Sequence, residues 1–160
     1  MFALKKKDVM ILSHLRRHAR IPLTELSRKS GIPVSTLFDK LKTATPFVKR
    51  FTILMDFLPL GFATRAIVVV KVHKKDREDV KTFVAKNKSI NSVYKVNNGY
   101  DYCLDIVVRD MKELEDLLQH MEEHWKIEKR LVFYLLEIVK EEEFLTSPDC
   151  VQMLFPDEMK

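Results

Sequence analysis

Between Asp8 and about Ala19, apolar side chains recur as Ile11, Leu12, Leu15 and Ala19, a spacing that puts them on one face of a helix and leaves Arg16, Arg17 and Arg20 for the other. Pro22 breaks that run. Leu23 to Ser30 then makes about two helical turns and stops at Gly31, a residue free to take the left-handed conformation that ends helices. After the turn Gly31-Ile32-Pro33, Val34, Leu37, Phe38 and Leu41 return at i, i+3, i+4 and i+7, predicting a third helix that ends near Lys42 or Thr43 with those four side chains inward. Two short helices around a tight glycine turn make a helix-turn-helix. Beyond Pro46, Phe47 to Met55 is β-branched and aromatic and predicts an extended strand or short hairpin. Asp56 to Gly61 brings Pro and Gly and reads as a linker.

The pattern changes after the linker. Ala63–Val72 holds the run Ile67-Val68-Val69-Val70, a buried strand, and Asp76 is placed to cap a helix from Arg77 to Ala85. Ser92–Val96 and Cys103–Val108 are strands around the turn signal Asn97-Asn98-Gly99. Asp110 caps a helix to about His124 with Met111, Leu114, Leu117, Leu118 and Met121 in one stripe, and Arg130–Val139 is a final strand. The order β-α-β-β-α-β is the ferredoxin-like arrangement of four antiparallel strands with two helices on one face, so the chain is α+β. Leu131 to Leu136 is apolar on both alternating sets, which predicts that the open sheet face buries against a second subunit, most simply in a homodimer. The expected domains are a winged helix-turn-helix over 1–55, a linker over 56–61, a ferredoxin-like domain over 62–145 and a polar tail over 146–160 that begins its approach at Glu141-Glu142-Glu143.

Charge divides the chain at the linker. Residues 1–56 carry 12 Lys+Arg against 4 Asp+Glu, net +8, and residues 57–160 carry 16 against 19, net −3. A basic helical third is the electrostatic footprint of a polyanion partner. With 46% hydrophobic residues, 3 Gly and 6 Pro among 160, the chain has material for a packed core and is neither disordered nor fibrous. Cys103 and Cys150 lie far apart without Cys-x-x-Cys spacing, which excludes a disulfide framework or thiolate metal site and fits a reducing cytoplasm. The opening Met1 to Asp8 turns polar too early for a signal peptide, and no stretch is long and apolar enough for a membrane span.

Several short motifs stand in a telling order. Asp8-Val9-Met10-Ile11-Leu12-Ser13-His14-Leu15 resembles the Asp-x-x-Ile-Leu-x-x-Leu opening of the Lrp/AsnC, or feast/famine, transcriptional regulators. Ala19-Arg20-Ile21-Pro22-Leu23-Thr24-Glu25-Leu26-Ser27, Gly31-Ile32-Pro33-Val34-Ser35-Thr36-Leu37 and Asn98-Gly99-Tyr100-Asp101-Tyr102 resemble that family's later segments. The resemblance covers nearly the whole chain and implies a winged helix-turn-helix joined to a RAM/ACT-like ferredoxin fold. It further implies double-stranded DNA as partner, homodimers and tetramers or octamers, no cofactor, no catalysis, and an amino-acid effector bound near Gly99, Tyr100 and Asp101. There, glycine permits close backbone approach and a carboxylate can hold an ammonium group; the alternative is an ordinary β-turn whose Asp101 bonds turn amides. The chain departs from the family in Asp39-Lys40-Leu41-Lys42, where an Arg-rich helix end is usual, and in Thr45-Pro46-Phe47-Val48, where a Gly-Val-Ile turn is usual. Two other readings stay open: a haem-pathway decarboxylase of similar organisation, and a small-molecule-binding module that has lost DNA binding.

With Val34, Leu37, Phe38 and Leu41 inward, the outward face of the third helix carries Ser35, Thr36, Asp39 and Lys40, with Lys42 near its end. Hydroxyls bond to base edges or phosphates, lysines displace counterions, and Asp39 either accepts from cytosine N4 or pairs with a neighbouring cation. Lys49 and Arg50 are placed where a wing would track the DNA backbone. His14/His18 and His120/His124 have i, i+4 spacing without a third ligand and read as surface histidines, and Cys103 in an apolar strand reads as inert. No Ser/His/Asp order, phosphate-binding loop or carboxylate pair stands out.

Overall fold

A computed structural model describes residues 4–155. Met1–Ala3 of the polar opening and residues 156–160 of the expected tail lie outside the described residues. The chain forms two compact units, one running to Leu54 and resuming at Lys140, the other Met55–Val139.

The first unit holds helices α1 (Lys6–Arg17), α2 (Leu23–Ser30) and α3 (Val34–Ala44). Their core is Ile11, Ile21, Leu26, Ile32 and Leu37, all buried, with Leu15, Leu23 and Leu41 packed at its edge. Gly31 ends α2 at φ 68°, and its N–H donates to the Ser27 carbonyl at 2.9 Å. The Ser27 hydroxyl donates to the Ile32 carbonyl at 2.6 Å, so one side chain clasps the turn between the two helices. The inward set of α3 differs from expectation. Leu37 and Ala44 are buried and Leu41 half-buried, whereas Val34 and Phe38 face out. An apolar i, i+3, i+4 triplet spans more arc than this small core can cover, and the core takes the side centred on Leu37.

Phe47 to Met55 forms no strand. A 3-10 turn at Thr45–Phe47 follows α3, and residues 48–55 run without ladder partners, exposed from Lys49 onward. β-branched composition favours extension, but a strand needs a neighbouring edge, and the described residues of this unit supply none.

The segment from Glu142 to Phe155, which includes most of the expected tail, is structured. Ser147 caps α6 (Pro148–Leu154) by accepting from the Cys150 N–H at 3.2 Å, and α6 packs on α1 with Val151 fully buried. Glu142 pairs with Arg16 at 2.5 Å, and the Thr146 hydroxyl donates to the Glu143 carbonyl at 3.0 Å. The second compact unit ends at Val139.

That second unit contains β1 (Thr64–Val72), α4 (Arg77–Lys86), β2 (Ile90–Lys95), β3 (Tyr102–Val108), α5 (Met111–His124) and β4 (Ile127–Tyr134). The sheet runs β2-β3-β1-β4, antiparallel throughout. β1 alternates, with Ala66, Val68, Val70 and Val72 buried, and β3 matches it with Tyr102, Leu104, Ile106 and Val108. Val80, Val84, Leu114, Leu118 and Met121 of α4 and α5 close over that face, while Met111 stays exposed. The Asp110 carboxylate caps α5 as expected, accepting from the Glu113 N–H at 2.8 Å. Asp76 does not cap α4 with its side chain; it accepts from the Lys126 N–H at 3.0 Å. β4 starts earlier than expected and ends at Tyr134, followed by one further bond from the Leu135 N–H to the Arg65 carbonyl at 2.9 Å, and Leu136, Ile138 and Val139 are exposed. The opposite sheet face carries Tyr94, Leu131 and Phe133, exposed, beside Ile67 and Val69.

Because Val151 is fully buried against α1, Val151→Ala is expected to destabilise the N-terminal unit by about 2 kcal/mol through lost burial and a residual cavity. All four Tyr and the single Trp lie within Met55–Val139, so the measurement is amide exchange in α1; unchanged protection there would show that α6 contributes nothing.

Candidate nucleic-acid interface and ligand loop

The helix-turn-helix core orients α3, and one ion pair sets its rotation. Asp8, in the first turn of α1, accepts from the Lys5 N–H at 3.2 Å and pairs with Lys40 of α3 at 2.5 Å. Its side chain is 9% exposed and that of Lys40 24%. Lys40 was expected on the outward face and instead spans α1 and α3. It sits three residues after Leu37, so it shares the side of the helix that meets the core. The spacing of Lys40 was legible in the sequence; its partner 32 positions away was not.

The outward side of α3 carries Ser35, Thr36, Asp39 and Lys42, all exposed, together with Phe38. Asp39 makes no ion pair among the described residues, so it is not consumed by a neighbouring cation. The Thr43 hydroxyl donates to the Asp39 carbonyl at 3.1 Å. Lys42 holds its ammonium 4.5 Å above the Phe38 ring. Lys49 and Arg50 are exposed on the irregular segment after α3. Of the three arginines on or after α1, Arg16 is engaged with Glu142, and Arg17 and Arg20 stand exposed. Burial, then the nearby charges of Lys29 and Arg17, lower the pKa of His14.

In the second unit, the loop Asn97–Tyr100 joins β2 to β3, with Asn98 at φ 59° and Gly99 at φ 85°. Asn97, Asn98 and Gly99 are exposed and Tyr100 is half-buried. Asp101 is not an open carboxylate. One oxygen accepts from the Val72 N–H at 2.9 Å and the other meets Arg77 Nε at 3.1 Å, so it ties the loop to the end of β1 and the start of α4. The Tyr102 hydroxyl donates to the Arg77 carbonyl at 3.1 Å on the same side. These bonds satisfy groups at the end of β1 that the ladder leaves unpaired.

Sequence reasoning missed a polar cluster on the open sheet face. Asp105 accepts from Arg65 Nε and Nη2, each at 2.9 Å, and from Asn91 Nδ2 at 2.7 Å. Burial pushes the Asp105 carboxyl up, and the Arg65 and Asn91 hydrogen bonds with the Arg65 charge outweigh it, holding the pKa below its ordinary value. Asp105 alternating with apolar residues in β3 was the available signal. Among the described residues no group of three His, Cys, Asp or Glu is placed to hold a metal ion.

Residues 65–144, half of the chain, match the Lrp/AsnC ligand binding domain, and residues 4–43 match a winged helix-turn-helix DNA-binding domain. The chain belongs to the Lrp/AsnC family. It is a DNA-binding transcriptional regulator that joins a helix-turn-helix to a ligand-binding domain. A helix-turn-helix-type transcriptional regulator of Pyrococcus furiosus is 26% identical over 137 residues, covering 84% of this chain and 93% of its own length. The transcriptional regulator AzlB of Bacillus subtilis is 27% identical over 120 residues, 72% of this chain and 76% of its own. In fold, this Lrp/AsnC chain is similar to a Neisseria meningitidis transcriptional regulator solved as a complex with L-Met, at TM-score 0.80 and 23% identity, covering 87% of this chain and 94% of that one. LrpC of Bacillus subtilis follows at TM-score 0.78 and 20% identity, covering 87% and 99%.

Asp101→Asn is expected to weaken the ligand-binding domain by about 1–2 kcal/mol, since it removes the charge facing Arg77 and halves the acceptor capacity at Val72. Urea unfolding followed by Trp125 fluorescence measures it; an unchanged midpoint would return Asp101 to a role in ligand binding alone.

Proposed function

We propose that this regulator binds operator DNA through the outward side of α3, with Ser35, Thr36 and Asp39 at base edges and Lys42, Lys49 and Arg50 on phosphates. The observation that carries the reading is the exposed, uncommitted polar set on α3 within a basic unit of net +8 over residues 1–56. Lys40 is a positioning residue in this scheme, since its ammonium is held by Asp8. Asp39 accepts from cytosine N4, a geometry open to it because no cation among the described residues pairs with it.

The ligand-binding domain pairs with a second copy through the open sheet face, burying Tyr94, Leu131 and Phe133. A two-fold dimer presents two α3 helices to two half-sites, and higher assembly into tetramers or octamers builds on it. An amino acid is the effector class, supported by the L-Met complex of the Neisseria relative in fold. The loop backbone around Gly99 and the side chain of Tyr100 contact it, while the ammonium competes with Arg77 for Asp101. The protein works without a cofactor or catalysis, in the cytoplasm; no helix among its described residues is long and apolar enough to cross a membrane.

Binding to the gene's own promoter and to a scrambled duplex across a salt series tests the DNA reading. A preference of several hundred-fold for the promoter is expected, and equal affinity for both would reduce the surface to a basic patch. Lys42→Ala should lower the salt slope by about 1 with the fold intact, whereas Lys40→Ala should cost stability and leave the slope unchanged. The reverse pattern would exchange the two roles. Phe133→Asp should shift sedimentation from dimer to monomer, and a persistent dimer would place the interface elsewhere.

A further inference from the structure

We infer that Phe38 is a specificity-determining residue that reads thymine, its ring lying against the 5-methyl group in the major groove. The inference rests on the DNA reading above and adds a base preference to it. Phe38 is one position past Leu37 on α3, and that single step of about 100° carries it from the core onto the outward side. Its side chain is 55% exposed, and Val34, one turn earlier, is 41% exposed. The apolar inward contacts of the helix are made by Leu37, Leu41 and Ala44, and Lys40 pairs with Asp8 on that side, so nothing within the unit's core calls for an aromatic here.

What covers the ring has to suit its surroundings. Lys42 stands over it with the ammonium 4.5 Å from the centroid, and Ser35 and Asp39 lie beside it on the same outward side. An apolar protein surface docked on Phe38 would strip that ammonium of water without supplying a counter-charge. Duplex DNA offers both complements at once, a methyl in the groove for the ring and a phosphate at its lip for Lys42. Thymine alone among the four bases presents a methyl there. Cytosine carries only a C5–H at the same place and so lacks the methyl that the ring would cover, so the ring favours T over C as well as adding affinity.

Selection from a random duplex library with the full-length protein identifies the preferred site, and thymines in that site are then replaced singly by deoxyuridine, which removes only the methyl. One position per half-site is expected to lose about fourfold in affinity, the effect of one methyl-sized group returned to water. Phe38→Ala, at an exposed position with little effect on folding, should bind more weakly and lose the distinction between T and U at that position. If a preferred site emerges but wild type binds the T and U duplexes alike at every position, the thymine contact is overturned and the regulator reading stands. The contact also fails if Phe38→Ala keeps the full T-over-U preference. A library that yields no preferred site overturns both.

Discussion

The DNA-binding half of the molecule depends on one carboxylate taken out of water between two helices. Asp8 is nearly buried, and leaving it unpaired there would cost several kcal/mol, so its partners are dictated: the Lys5 N–H at the start of its own helix and the Lys40 ammonium of α3. Hydrophobic packing alone is tolerant of helix rotation, because Leu37 and Leu41 bury about as well over a range of angles. A short charged pair is not. With Lys40 committed to α1, the rest of α3 is committed too, and Ser35, Phe38, Asp39 and Lys42 have to face outward.

The ligand-binding domain is organised on the same logic from a different starting point. Its sheet buries one face under α4 and α5, and the antiparallel register fixes which residues remain on the other. That open face carries Ile67, Val69, Leu131 and Phe133 beside the Arg65–Asp105–Asn91 cluster, whose hydrogen bonds and ion pair hold the Asp105 pKa below its ordinary value despite burial. A flat apolar face tolerates many packing angles, whereas a satisfied ionic cluster within it favours arrangements that leave its geometry intact. Asp101 does comparable work at the far end of β1, holding the β2–β3 loop to the strand and to Arg77 before any effector arrives.

The C-terminal segment joins these halves in an unanticipated way. The chain leaves the first unit after Leu54 and returns to it at Lys140, so that unit is built from two separate stretches of sequence. Val151 and the Arg16–Glu142 pair secure the return.

The sequence by itself determined the first five helices, the order of elements along the chain and the family. Periodicity, Gly31, the Asp110 cap and the β-α-β-β-α-β alternation are local properties, and local free energies of capping and propensity act over a few residues. It also singled out Ser35, Thr36, Asp39, Lys42, Lys49, Arg50 and the Gly99–Asp101 loop as candidates. Only the tertiary structure decided that Lys40 turns inward and Phe38 outward, because an apolar residue and a long cation at adjacent edges of a helix face are exchangeable until a buried Asp8 claims one of them. The missing strand at 48–55, the shorter β4 and the docking of α6 were settled there too. A strand exists only with a partner edge and a short amphipathic helix only with a surface to cover, and both are properties of what the rest of the chain brings alongside.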